Sequence, residues 1–421
     1  MDHNNRQSIL SPTGSLVKHI ESQRVRTHLT KSLPTFYRNI EEALDTRRAT
    51  QSLFSIVPNN WQTKNAVDFC SNDYLSWNTT GLIRSKFLHE LSLYPDFSVA
   101  AGGSRVMEGN YPYIEETEQE IASFHGAEAG LIVNSAFDAN VMVWSALPRP
   151  GDAIVYDALV HASTHEGMER SLAIQKTEFQ HNDIESFRET LVSIMDSQPR
   201  IKQGRRSILV AVESVYSMEG DVCPLAELVE VAKEISQGQG NIQFVIDETH
   251  STGLFGPNGT GIVCELGLED EIAGQDNVQF LAQTFFKSLT SHPLWPTAQE
   301  KGVLSVPLAD GWEERPFLTH IVTISTRQKY IYWIYLHLLS ASFYVLPVKH
   351  PVVPIEESRL RVTFHAENTA AQVVALVEEV FAWVEEIMLI EEGATERKIT
   401  RAANEVYEWM EREGLKGFGM P

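Results

Sequence analysis

Val245-Ile246-Asp247-Glu248-Thr249-His250-Ser251-Thr252-Gly253 runs from an apolar stretch into a carboxylate, then an imidazole three residues on, then a glycine turn. The residues leading into it, 241–247 (Asn-Ile-Gln-Phe-Val-Ile-Asp), read as a short strand of a parallel sheet, because so brief an apolar run is bounded by turn residues. In open α/β sheets ligands sit beyond the carboxyl ends of the strands, which is where Asp247 emerges. An isolated Asp at such a point is an ordinary acidic loop. Here other polar residues stand at matching points along the chain.

Gly130–Ser135, Ala153–Asp157, Ile208–Ser214 and Asn241–Asp247 read as buried strands. Between the last two, Pro224 opens a helix with Leu225, Leu228, Val229, Ala232 and Ile235 on one face. The alternation predicts a mostly parallel sheet covered by helices. From about residue 316 the pattern changes to a helix (326–340), a strand (342–348), a strand (359–364) and a long amphipathic helix (369–388). That helix is carried by Val373, Val377, Val380, Phe381, Val384 and Ile387. The expected division is an N-terminal arm at 1–65, a large domain at 66–315, a smaller C-terminal α+β domain at 316–392 and a charged, peripheral helical tail at 393–421.

A chain of 421 residues is too long for one simple core, and its 43% hydrophobic and 9% aromatic content is that of a globular protein. A net charge of -22, from 34 basic and 56 acidic residues, argues against a nucleic-acid partner. Cys70, Cys223 and Cys264 have no metal-ligand spacing, so no metal is expected, and a reducing compartment, the cytoplasm, is. Arg6, Lys18, Arg24, Arg26, Lys31 and Arg38 lie in a stretch with few acids, which leaves organelle targeting open. Tyr330 to Val348 is the most apolar stretch, but His337, Pro347 and the Ser-Ala-Ser turn divide it into a core helix and strand, not a membrane span.

A carboxylate at Asp247 suits one task well: keeping a proton on the ring nitrogen of pyridoxal phosphate, so that the ring works as an electron sink. Lys287, in Thr284-Phe285-Phe286-Lys287-Ser288, follows the apolar segment Val278–Ala282. A partly buried strand-to-loop position there would help deliver a neutral amine to a carbonyl. Thr284 carries a hydroxyl suited to a phosphate. His161, after Ala153–Asp157, has an imidazole that can lie flat on a pyridine ring; on its own it reads as a satisfied histidine at a sheet edge. Ser135-Ala136-Phe137 opens a helix whose backbone N–H groups can hold a phosphate. His250 and Ser217 stand where they can bond the ring oxygen.

Taken with Phe69-Cys70-Ser71-Asn72-Asp73-Tyr74-Leu75, Gly102-Gly103-Ser104-Arg105, Gly109-Asn110, Asp157–Ser163, Ser217-Met218-Glu219-Gly220-Asp221 and Pro354–Ala366, these segments carry a resemblance over roughly 65–390. The chain resembles the α-oxoamine synthase family of pyridoxal-phosphate enzymes. The resemblance implies a fold type I pyridoxal-phosphate-dependent transferase. It implies the decarboxylating condensation of an amino acid with an acyl thioester, on CoA or an acyl carrier protein, in a homodimer. By it Lys287 is the cofactor's lysine, Asp247 the partner of the ring nitrogen and His161 the group on the ring face. Arg361 then grips the amino-acid carboxylate with Asn72 beside it, a task for a planar two-pronged donor.

After Lys287 the chain departs from the family. Ser288 to Pro316 lacks the Gly-Gly turn and the Ser/Thr-rich segment, the bulky Phe286 precedes the lysine, and the interval to Arg361 is several dozen positions short. A weakened dimer is the expected result. Two other readings stay open: an aminotransferase on the same fold, and a non-catalytic homologue that keeps the shell.

Overall fold

The computed structural model describes residues 21, 33–49, 53, 66–96, 100–266, 275–315, 318–350, 352–354, 356–415 and 417–420. The basic N-terminal stretch, apart from Arg38, and most of the expected arm lie outside them. In chain order the main elements are β1 (Val67–Asp68), α1 (Pro112–Phe124), α2 (Ala136–Ala146), β2 (Ala153–Asp157), α3 (Ala162–Glu169), β3 (Gln175–Phe179), α4 (Ile184–Ser197), β4 (Ile208–Glu213), α5 (Leu225–Ser236) and β5 (Ile242–Asp247). They continue with α6 (Gln275–Thr290), β6 (Ile321–Ser325), α7 (Ile331–Ser340), β7 (Phe343–Tyr344), β8 (Leu346–Val348), β9 (Arg359–Thr363), α8 (Ala370–Glu391) and α9 (Arg401–Arg412). One compact unit takes Thr80–Asp276; the other takes the residues before it and those from Asn277 on.

In the Thr80–Asp276 unit a parallel sheet has the order β3-β2-β4-β5. β2 and β4 are apolar without alternation because both of their faces are covered, whereas β3, at the edge of the sheet, is polar (Gln-Lys-Thr-Glu-Phe) and alternates between part-buried and exposed residues. Ala153, Val155, Ile208, Val210 and Val212 face Phe187, Leu191, Leu228 and Ala232 on one side. Ile154, Leu209 and Ala211 cluster with Trp144 and Met168 on the other. α5 begins after Pro224 and buries Leu225, Leu228 and Ala232 of the expected stripe, with Val229 and Ile235 part-buried against the same core and Val231, which the spacing does not single out, buried as well. Gly130–Ser135 is not a strand. Leu131 is exposed, and the Ile132 N–H donates to the Glu118 carboxylate at 2.6 Å rather than to a neighbouring strand. Nearby, the Gly109 N–H donates to the Ser104 carbonyl; a Cβ at Gly109 would lie 2.0 Å from the Gly103 carbonyl oxygen, so this turn admits no side chain there.

In the other unit β6, β9 and β8 form an antiparallel sheet in the order β6-β9-β8, and β1 pairs in parallel with β7. The expected helix at 369–388 is α8, opened by a Thr369–Gln372 capping box and burying Val373, Val377, Val380, Phe381, Val384 and Ile387. The expected strand at 342–348 is divided into β7 and β8.

Three expectations change here. The C-terminal helix is not peripheral: Ala402, Ala403, Val406, Tyr407 and Met410 of α9 join this unit's core, because a narrow apolar stripe runs along an otherwise charged helix. Residues 277–315 belong with the C-terminal unit, as do 66–79, so the boundary expected at 315/316 falls at 276/277. The segment around Lys287 is helix, not strand and loop: Leu281, Ala282, Phe285, Phe286 and Leu289 of α6 are buried at spacings of three and four.

Candidate functional site

Three carboxylates end three strands of the parallel sheet: Asp157 on β2, Glu213 on β4 and Asp247 on β5. Asp247 is held on both oxygens. The Asn140 side-chain amide donates to Oδ2 at 2.8 Å; the Thr249 N–H and hydroxyl donate to Oδ1 at 2.9 and 2.6 Å. Burial works against its charge, but these donors and the nearby His250 outweigh it and hold the carboxyl below its ordinary range. Asp247 is therefore held as a carboxylate at the end of β5.

Asn140 comes from α2. Ser135 caps that helix, its hydroxyl accepting from the Asp138 N–H at 3.1 Å. The Asn140 amide also donates to the Ser163 hydroxyl at 3.0 Å, and Ser163 lies 2.7 Å from the His161 ring nitrogen Nδ1. His161 caps α3, with its ring edge-on to Phe137 at a centroid distance of 6.1 Å. One network thus joins the Ser135-Ala136-Phe137 segment, His161 and Asp247. Ser217 is half-buried in the turn closed by the Val215–Val222 bridge, just past β4.

In the other unit the structure brings Arg361 and Asn72 together. Arg361, on β9, is 5% exposed; its Nη2 donates to Asn72 Oδ1 at 3.2 Å and to the Tyr74 hydroxyl at 3.4 Å. Its buried Nε has no hydrogen-bond partner, and no acid within ion-pair distance is found among the described residues. A buried guanidinium with donors to spare is prepared for an anion.

Lys287 and Thr284 depart from expectation. Lys287 is on the exposed face of α6, in the unit that does not contain Asp247 and His161. The Thr284 hydroxyl donates to the Phe280 carbonyl of its own helix at 2.7 Å, so it is engaged within the helix. The sequence has no lysine between Lys233 and Lys287. In the Thr80–Asp276 unit Lys202 precedes β4 and pairs with Asp196, Lys233 lies on α5 and pairs with Glu230, Lys176 is near the start of β3, and Lys86 is exposed on a helix. None of these follows the carboxyl end of a strand.

Sequence reasoning passed over Asn140, Ser163, Thr249 and Glu213. Glu213 alone carried a signal, a charged residue closing the apolar run Ile208-Leu209-Val210-Ala211-Val212. It also missed the His181 bridge, in which Nδ1 meets Asp157 at 2.8 Å and Nε2 meets Asp221 at 2.9 Å.

Residues 64–294 match the model of the family described as aminotransferase class I and II. The chain is 45% identical to the aminoacyl transferase sphA of Byssochlamys spectabilis, over 94% of this chain and 97% of that protein. It is 44% identical to 8-amino-7-oxononanoate synthase of Emericella nidulans, over 63% of this chain and 60% of that protein. Among solved structures, serine palmitoyltransferase from S. paucimobilis with a bound PLP–myriocin aldimine superposes with a TM-score of 0.62 at 21% identity, covering 77% of this chain and 88% of that one. The sphA alignment runs over 457 positions, more than the 421 residues of this chain, so that relative contains stretches with no counterpart here. The fold expectation holds, and the chain belongs to the aminotransferase class I and II family and, within it, to the α-oxoamine synthases, pyridoxal-phosphate enzymes that condense an amino acid with an acyl thioester and release carbon dioxide.

Proposed function

We propose that the carboxyl edge of the Thr80–Asp276 sheet holds pyridoxal phosphate and that Arg361 with Asn72 holds the amino acid by its carboxylate. The observation that carries the first half is the network from Asp247 through Asn140 and Ser163 to His161. Its donor set fits the cofactor: a charged carboxylate for the ring nitrogen, a flat imidazole for the ring face and the first turn of α2 for the phosphate. When bound, the cofactor supplies an electron sink for the carbanion left by loss of a proton or of carbon dioxide. Asp247 keeps the ring nitrogen charged, His161 limits movement of the ring, and His250 and Ser217 serve the ring oxygen. Arg361 orients the amino acid. The acyl thioester is carried by CoA or by an acyl carrier protein, and the working form is a cytoplasmic homodimer. No helix among the described residues is long and apolar enough to cross a membrane.

The test is a titration of purified protein with pyridoxal phosphate, followed by thermal shift, in the wild type and in Asp247→Ala. A shift that the variant loses supports the reading; a wild type that never shifts sinks it. Release of carbon dioxide that requires both an amino acid and an acyl thioester separates condensation from amino-group transfer.

A further inference from the structure

We propose that Glu213 is a positioning residue of this site: from the end of β4 it fixes the backbone of His161 and, by carrying a proton, leaves Asp247 as the charged member of the pair. The inference rests on the cofactor reading above for the use made of His161, but its geometry stands on the protein alone.

Glu213 is 4% exposed, and its Oε1 accepts the His161 N–H at 2.5 Å. That bond ties the end of β4 to His161, the N-cap residue of α3. Glu213 and Asp247 face each other in register on neighbouring parallel strands. The other charged groups acting on Glu213 are Asp157 from the end of β2 and Glu219 from the turn after β4, both negative. Asp247 has three donors; Glu213 accepts one backbone N–H, and no cation pairs with it among the described residues. Burial first, then the charge of Asp247, pushes its carboxyl up to about 8. Two adjacent carboxyls in environments that drive their acidities apart take different roles. Here the ionised one serves the ring nitrogen and the protonated one serves as a neutral strut. A second buried anion would find no counter-charge in this place.

The experiment uses the whole chain with histidine labelled by 15N, without cofactor. In the wild type the His161 amide resonance is expected to move as pH rises through about 8, where Glu213 loses its proton. Glu213→Gln, the neutral isostere, is expected to keep the resonance at its neutral-pH position and abolish the movement. Glu213→Ala is expected to displace it at every pH and to weaken pyridoxal phosphate binding roughly tenfold in the thermal-shift titration. A wild-type resonance that does not titrate, or a Gln variant that still titrates, overturns the proposal. So does a Gln variant displaced as far as the Ala variant. If the resonance behaves as expected and no variant binds pyridoxal phosphate, the strut stands and the cofactor reading fails instead.

Discussion

Glu213 and Asp247 are chemically alike and one strand apart, yet burial and the charge of Asp247 push one carboxyl up while the donors around the other hold it down. Position alone does not give a residue its role, and Lys287 carries the same lesson. It is exposed on α6, whose buried Phe285, Phe286 and Leu289 explain why the helix forms without it. Lys287→Ala is therefore expected to alter stability by no more than about 0.5 kcal/mol and to leave the pyridoxal phosphate thermal shift unchanged. Borohydride reduction and peptide mapping at equimolar cofactor should label Lys287 no more than the exposed Lys202 or Lys233. Stoichiometric labelling, or loss of the shift, would restore it as the cofactor's lysine. Arg361→Lys is expected to raise KM for the amino acid roughly tenfold and leave KM for the thioester in place, because an ammonium cannot reproduce the two-pronged grip. Equal effects on both substrates would remove Arg361 from the carboxylate.

Among elements, the carboxyl edge is held by bonds between a strand end and the loop or helix beside it. Asp157 accepts from the Leu159 N–H, the Asn182 N–H and His181, while His181 reaches Asp221 past β4. Burial lowers the pKa of His181, but its two carboxylate partners prevail and raise it to about 10. A histidine raised in the folded state contributes stability that is complete below its unfolded value of about 6.5 and is lost as pH rises through about 10. Denaturant unfolding between pH 6.5 and 10 should show this decline, and His181→Gln should flatten it while lowering stability at neutral pH by on the order of 2 kcal/mol. A variant whose stability follows the wild-type curve would mean that the ion bridge contributes nothing.

For the molecule as a whole, the Thr80–Asp276 unit exposes apolar side chains, with Val106 91%, Met107 71% and Leu131 74% exposed. Such residues suit a partner surface, and a second copy satisfies the homodimer proposed above. Because sphA contains stretches without a counterpart here, the proposed dimer is expected to be weak and to depend on concentration. Sedimentation velocity over a range of concentrations should show this, and Leu131→Glu should shift the balance toward monomer roughly tenfold. A tight dimer indifferent to that change would place the interface elsewhere.

β2, β4 and β5 were legible in the sequence because each is a largely apolar run that ends in an acid; β3, polar and alternating, was passed over, and the run at Gly130–Ser135 is no strand. Asp247, His161 and the Ser135 cap were legible for the same reason: each stands just past an apolar segment or opens a helix. The tertiary structure alone revealed what surrounds them. That Asn140 reaches Asp247 across 107 positions, and that Glu213 accepts the N–H of His161 across 52, depends on which strands lie side by side. It also decided α6, since a short apolar stretch suits a buried strand or one helix face equally and only the core on which it packs chooses between them, and it drew α9, expected as a peripheral helix, into that core.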